Sequence, residues 1–220
     1  MPQVKKEGMR EAILAAAFDL FCRKGYTATT MAELARSAGM TVANIYVYFD
    51  SKLLIFYEIY TPWLLSRVDV LKDSVRKFPT ARTRLQRIFL GLWGDIPAAD
   101  HSFVNAMIEA LSTAPRDTLK PNNLLKQCEQ AITELILESL PPDRAHLAQN
   151  DLFSHILWMA HDGFAINARI GDKRDLDAIA QLMTDLLLGS SADEPIPAET
   201  NTRNNGRNKR ATQGRSNTIQ

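Results

Sequence analysis

The chain has 220 residues, with 26 Lys and Arg against 25 Asp and Glu and a formal net charge of +1. An apolar fraction of 45% is enough for a substantial core, and the length suits one domain or two small ones. The longest apolar run, Ala12 to Phe18, is seven residues, far short of the ~20 needed to span a membrane.

Other classes fall away on local grounds. Lys5 and Lys6 precede an apolar stretch, but Glu7, Glu11 and Asp19 interrupt it and no small-residue cleavage site follows, so no export signal is expected. Cys22 and Cys128 are the only cysteines, which makes neither a disulfide framework nor a paired-cysteine zinc site. A cytoplasmic location with reduced thiols is the expectation. Charge is unevenly spread: +1 over residues 1–60 (7 basic, 6 acidic), −4 over 61–194 (14 and 18) and +4 over 195–220 (5 and 1).

In chain order, the first helix is predicted from about Lys6 to Lys24, with Met9, Ile13, Ala16, Ala17, Leu20 and Phe21 on one face and Gly25 as its stop. Thr30-Met31-Ala32-Glu33 reads as a capping box opening a short second helix that Gly39 ends. Thr41 caps a third short helix from Val42 to about Tyr48. Asp50-Ser51 start a long fourth helix to about Lys77, which Pro62 should kink or interrupt near Tyr60. Further helices are predicted at about 80–94, 98–113, 117–140, 145–170 and 173–189, with Pro115, Pro121 and Pro141-Pro142 marking breaks. Residues 190–220, rich in Asn, Thr, Arg and Gly, read as a disordered basic tail. It serves as a solubilising segment or as a loose nucleic-acid contact.

The chemistry lies in residues 25–54: a short helix, a tight turn and a second short helix, the pattern of a helix-turn-helix. Val42, Ile45 and Phe49 share the inner face of the third helix, which leaves Ala43, Asn44, Tyr46, Val47 and Tyr48 outward. Such a face suits a DNA groove, since Tyr hydroxyls reach phosphates, Asn reads a base edge and Ala or Val touches a thymine methyl. Lys52 in the first turn of the fourth helix opposes the macrodipole and reads as part of an anion site for phosphate.

The stretch from Gly25 to Leu54, and above all Tyr46-Val47-Tyr48-Phe49-Asp50-Ser51-Lys52, closely resembles the DNA-binding domain of TetR-family transcriptional regulators. The likeness covers about residues 8–55. Ala43 stands where many members have Gly, and Met40 where many have Val. The resemblance implies an all-α fold: a three-helix head (1–50) and a larger antiparallel helical body for ligand binding and dimerisation (51–189), ahead of the tail read from composition (190–220). It implies double-stranded DNA and a second copy of the chain as partners, with no enzymatic activity. Thr29, Thr30, Tyr46, Tyr48 and Lys52 would contact phosphates, joined by Thr41. Ala43 and Asn44, with Val42 in the same first turn, would meet the DNA groove. The function implied is a ligand-responsive regulator, most often a repressor in this family, binding a palindromic operator as a homodimer.

In the body, residues 145–170 are apolar nearly all round, and Leu176 to Leu187 are apolar at helical spacing. Phe153, Leu157, Ala160, Ile179, Met183, Leu186 and Leu187 are therefore expected in a four-helix dimer interface. Trp63, Phe89, Trp93, Phe103, Met107, Trp158, Met159, His161 and Phe164 are the candidate lining of a pocket for a small apolar or amphipathic effector. His155 and His161 have the wrong spacing for a metal pair, and no metal or other cofactor is expected. Two rival readings stand beside this one. A helical hydrolase using His161 and Asp162 lacks any phosphate loop, nucleophile elbow or zincin motif. A DNA-binding module with a purely structural body would need a tightly packed interior.

Overall fold

The computed structural model of the chain describes residues 2–115, 123–172 and 174–189. The tail read at 190–220 and the helix start expected near 117 lie outside the described residues. Among the described residues the chain is helical with no strand: α1 (Pro2–Ala28), α2 (Met31–Ser37), α3 (Val42–Tyr46), α4 (Lys52–Val75), α5 (Ala81–Leu90), α6 (Ile96–Ser102), α7 (Val104–Thr113), α8 (Leu124–Leu137), α9 (Asp151–Arg169) and α10 (Leu176–Leu188). A π-helical turn, Gly91–Asp95, joins α5 to α6, and a 3-10 segment, Pro142–Ala148, precedes α9.

The head forms for local reasons. α1 is broken at Gly25 (φ 80°, ψ 172°), a conformation open almost only to glycine. The Thr30–Glu33 capping box is complete in both directions, and Ala35 and Leu34 anchor α2 in the core. Thr41 and Ser51 cap α3 and α4 by accepting from Asn44 N–H and Leu54 N–H. Ile13, Phe21, Leu34, Ile45 and Phe49 bury the centre of the head.

α4 carries the head into the body and runs continuously through Pro62 rather than breaking near Tyr60. An interior proline costs a helix ~3 kcal/mol. Ile59, Tyr60, Trp63 and Leu64 are all buried around it, and their burial outweighs that cost. Head and body share one aromatic cluster: Phe56 packs on Phe21, Tyr26, Tyr60 and Phe103, and Phe103 also meets Phe18 and Trp63.

The helix expected at 98–113 is interrupted. Asp100, His101 and Ser102 all have positive φ, so α6 ends in a strained left-handed corner before α7. The Asp100 carboxylate is held there by Trp63 Nε1 (2.6 Å) and Arg67 Nη2 (2.7 Å), bonds that offset part of the strain. In the body α8 packs against α4 and α9, α9 also meets α7, and α10 lies along α5.

Candidate nucleic-acid interface and body cavity

The short helix α3 and the residue after it present most of the outward face that the spacing predicts, Tyr48 excepted. Ile45 and Phe49 are buried and Val42 is half-buried, while Thr41, Ala43, Asn44, Tyr46 and Val47 are exposed. Tyr46 and Val47 are 50% and 68% exposed, an unusual display of large side chains. Thr41 accepts Asn44 N–H at 3.2 Å and keeps its own hydroxyl proton for an external acceptor. This surface can donate to phosphate through Thr41 and Tyr46, read an edge through Asn44 and present methyls from Ala43 and Val47.

Other candidate phosphate ligands are engaged within the head. Thr29 is fully buried and its hydroxyl donates to Gly25 O at 2.8 Å. Thr30 is exposed, but its hydroxyl is used twice in the capping box. Tyr48 is half-buried and its hydroxyl meets Met9 Sδ at 3.5 Å. The Lys52 ammonium donates to Tyr26 O and Thr29 O, each at 2.8 Å, and sits 4.2 Å from the centre of the Tyr26 ring. Lys52 therefore ties the start of α4 to the carbonyls that end α1. Burial pushes its ammonium down in pKa, opposed by Glu109. Arg10, Arg23 and Lys24 are in ion pairs with Glu58, Asp19 and Glu33. Lys24 and the Thr30 hydrogen bonds hold the Glu33 carboxyl down at about 2, so the capping box stays ionised.

A half-open pocket of about 190 Å³ lies between α4, α7, α8 and α9, with Leu111 and Leu125 at its exposed edge. Tyr60, Leu64, Met107, Leu111, Leu124, Leu125, Cys128, Trp158, His161 and Asp162 line it. Of the nine residues expected in a pocket, only Met107, Trp158 and His161 are here. Trp63 and Phe103 belong to the aromatic cluster shared with the head. Phe89, Trp93 and Phe164 form a stack in the core, with centroids 4.9 and 5.3 Å apart. Met159 lies on the outer face of α9, about half exposed. Sequence reasoning missed Tyr60 and Cys128, which are spaced like ordinary core residues of α4 and α8.

Two buried bonds lock α9 to the π turn reciprocally. Trp93 Nε1 donates to Leu157 O at 3.0 Å, and His161 Nδ1 donates to Leu92 O at 2.7 Å. Burial lowers the His161 pKa, so its ring is neutral. Its Nε2 and the Trp158 Nε1 have no hydrogen-bond partner among the described residues. Burial raises the Asp162 carboxyl at the cavity rim, opposed by His161. Burial pushes the Cys128 thiol up to about 12, so it stays protonated.

The outer face of α9 carries an apolar stripe, Leu152, Ile156, Met159, Ile166 and Ile170, with Gly163 open in its middle. α10 adds Leu182 and Leu186. Of the residues expected at a dimer interface, Leu186 is exposed, and Phe153, Ala160, Ile179 and Met183 are half-buried. Leu157 and Leu187 are buried in the chain's own core.

Among the described residues no helix is long and apolar enough to cross a membrane. Residues 13–59 match the family described as bacterial regulatory proteins, tetR family. The chain is 30% identical over 94 residues to the uncharacterised HTH-type transcriptional regulator YdeS of Bacillus subtilis (strain 168), covering 42% of this chain and 48% of YdeS. It is 46% identical over 50 residues to the HTH-type transcriptional repressor BepR of Brucella suis biovar 1 (strain 1330), 23% of this chain and 24% of BepR. The matches thus span about half or less of these relatives' length. A crystal structure of the transcriptional regulator FadR from Bacillus subtilis in complex with stearoyl-CoA is similar in fold, with a TM-score of 0.58 at 18% identity, over 81% of this chain and 97% of that one.

Proposed function

We propose that this chain, which belongs to the tetR family of bacterial regulatory proteins through its N-terminal domain, is a homodimeric, effector-responsive repressor of transcription that binds a palindromic operator. The observation that carries this reading is the face of α3: a doubly capped helix-turn-helix with Ala43, Asn44, Tyr46 and Val47 held outward. The apolar stripe of α9 and the outer leucines of α10 pair with those of a second copy. That pairing sets two α3 helices about 34–36 Å apart, one turn of DNA.

The effector occupies the cavity between α4, α7, α8 and α9. Two of these helices also hold the head. α4 lines the cavity with Tyr60 and Leu64 and begins at Lys52, next to the recognition helix. α7 lines it with Met107 and Leu111 and binds the end of α1 through Glu109. An effector that favours one arrangement of α4 and α7 thereby changes the spacing of the heads. FadR was solved with stearoyl-CoA, but a cavity of about 190 Å³ with no Lys or Arg among the described residues of its lining favours a smaller, uncharged ligand here.

Selection from a random DNA pool by the full chain tests the reading. A two-fold symmetric motif with half-sites one turn apart is the expected product, and Asn44→Ala should relax its base preference while retaining non-specific binding. Failure to enrich any motif would overturn it.

A further inference from the structure

We propose that the cavity recognises a small uncharged alcohol or phenol, whose hydroxyl donates to His161 Nε2 and accepts from Trp158 Nε1–H. This rests on the reading of the cavity as the effector site and names the chemistry of what enters it.

The hydrogen-bond inventory carries the assignment. His161 Nδ1 lies 2.7 Å from Leu92 O, and a carbonyl can only accept, so the ring proton sits on Nδ1. That leaves Nε2 as an acceptor. Trp158 Nε1 is a donor only. The two residues are one turn apart on α9, their rings 4.9 Å between centroids in an edge-on arrangement. Both residues are at least nine-tenths buried and belong to the cavity lining, and neither Nε atom has a partner among the described residues or is open to solvent through the cavity. Leaving one such buried group unsatisfied is costly, and here an acceptor and a donor are left together. A single hydroxyl satisfies both at once.

Other ligand classes fit less well. A carboxylate has no proton for Nε2, finds no Lys or Arg among the described residues of the lining and meets Asp162. A hydrocarbon fills the space but leaves both polar atoms unpaired. Away from these two residues, Asp162, Tyr60 and Cys128, the walls are Leu64, Met107, Leu111, Leu124 and Leu125, so most of the ligand is apolar. The volume of about 190 Å³ equals the liquid share of about six waters and admits one ring of about seven non-hydrogen atoms. The Cys128 thiol, protonated in its buried setting, adds a soft wall and no nucleophile.

Phenol and toluene differ only by hydroxyl against methyl and make the test. Both, with benzoate, are titrated calorimetrically into the full chain and into His161→Asn and Trp158→Phe. Asparagine keeps a donor for Leu92 O where Nδ1 stood and removes Nε2, so the bond to the π turn survives. Phenol should bind the unaltered chain at least about 10-fold more tightly than toluene, and each substitution should erase most of that preference. Toluene binding as tightly as phenol, benzoate binding most tightly, a preference that survives both substitutions, or no phenol binding at millimolar concentration would each overturn the proposal. A gel shift with the selected operator separates the two readings. Phenol that binds with the expected preference yet leaves DNA affinity unchanged supports hydroxyl recognition and overturns the effector role of the cavity.

Discussion

The carboxylate of Glu109, in the middle of α7, accepts the backbone N–H of Thr27 at 2.9 Å, across the junction between body and head. Its other oxygen receives Arg169 Nη1 at 2.8 Å from the end of α9. One side chain thus joins the recognition head, a cavity helix and the helix that carries the apolar stripe. Burial alone would raise this carboxyl, but the Thr27 N–H and Arg169 outweigh it and hold it below its ordinary value of 4.5.

A group held down in this way binds its proton more weakly when folded than when unfolded. The stability it contributes is complete above the unfolded value and is lost as pH falls through the lower folded one. Glu109→Gln should therefore cost about 1 kcal/mol at neutral pH, the order expected for a charge-assisted bond in a partly exposed pair. The difference between variant and parent should shrink in acid, because the parent carboxyl is then protonated too. Urea unfolding at neutral and acid pH measures this; a constant difference would mean that the charge contributes nothing.

Gly25 lies against the same carboxylate. A Cβ built there would meet Glu109 Oε2 at 2.7 Å, on a backbone with φ 80° and ψ 172°. Gly25→Ala should cost about 2 kcal/mol through backbone strain alone. The Glu109→Ala change removes the side-chain clash but not the strain, so the double variant should recover little. Full recovery in thermal unfolding would show that the clash, rather than the dihedral, is decisive.

Lys52 is expected to behave as a brace for the head. Its ammonium makes two charged bonds to the Tyr26 and Thr29 carbonyls, and charged bonds of this kind contribute about 1.5–3 kcal/mol each when both groups are sheltered. Lys52 is only partly sheltered, so Lys52→Ala should lower stability by about 2 kcal/mol in total. The slope of log affinity against log salt for the selected operator should fall by clearly less than one unit. A fall of a full unit with unchanged stability would return Lys52 to the phosphate contacts.

These residues show which features were legible in the sequence. The Thr30–Glu33 capping box, the Thr41 and Ser51 caps and the inward set Ile45 and Phe49 follow from spacing within one or two turns, and all are present. Lys52 was legible as unusual, but its partners are carbonyls at the end of α1, reached only through the packing of α4 on α1. Aromatic content marked the body as a place for a pocket without saying which rings face it. Phe89 and Phe164 stack on Trp93, while Trp158 lines the cavity. That choice depends on the π turn, which frees Leu92 O for His161 and has no sequence signature beyond Gly91 and Gly94. At Gly91 a Cβ would fall 2.3 Å from Leu71 Cδ1, so the glycine admits α4 at close range.

The two leucines near the end of α10 give the sharpest test of the dimer. Leu186 is 65% exposed and Leu187 only 6%, so neighbours in sequence have opposite surroundings. On α9, Ile156 is 60% exposed and shares its stripe with Leu152 and Met159. A charge at Leu186 or Ile156 remains in water in a single chain and must be desolvated only when a second copy covers it. Leu186→Glu and Ile156→Glu should therefore yield folded monomers with much weaker operator binding, since two linked heads bind far better than one. Leu187→Glu buries an unpaired carboxylate in the chain's own core and should cost several kcal/mol, losing the fold along with the dimer. Sedimentation with circular dichroism distinguishes these outcomes. Folded dimers of both exposed variants would move the interface off this face, and a folded monomer of Leu187→Glu would mean that Leu187 faces the partner.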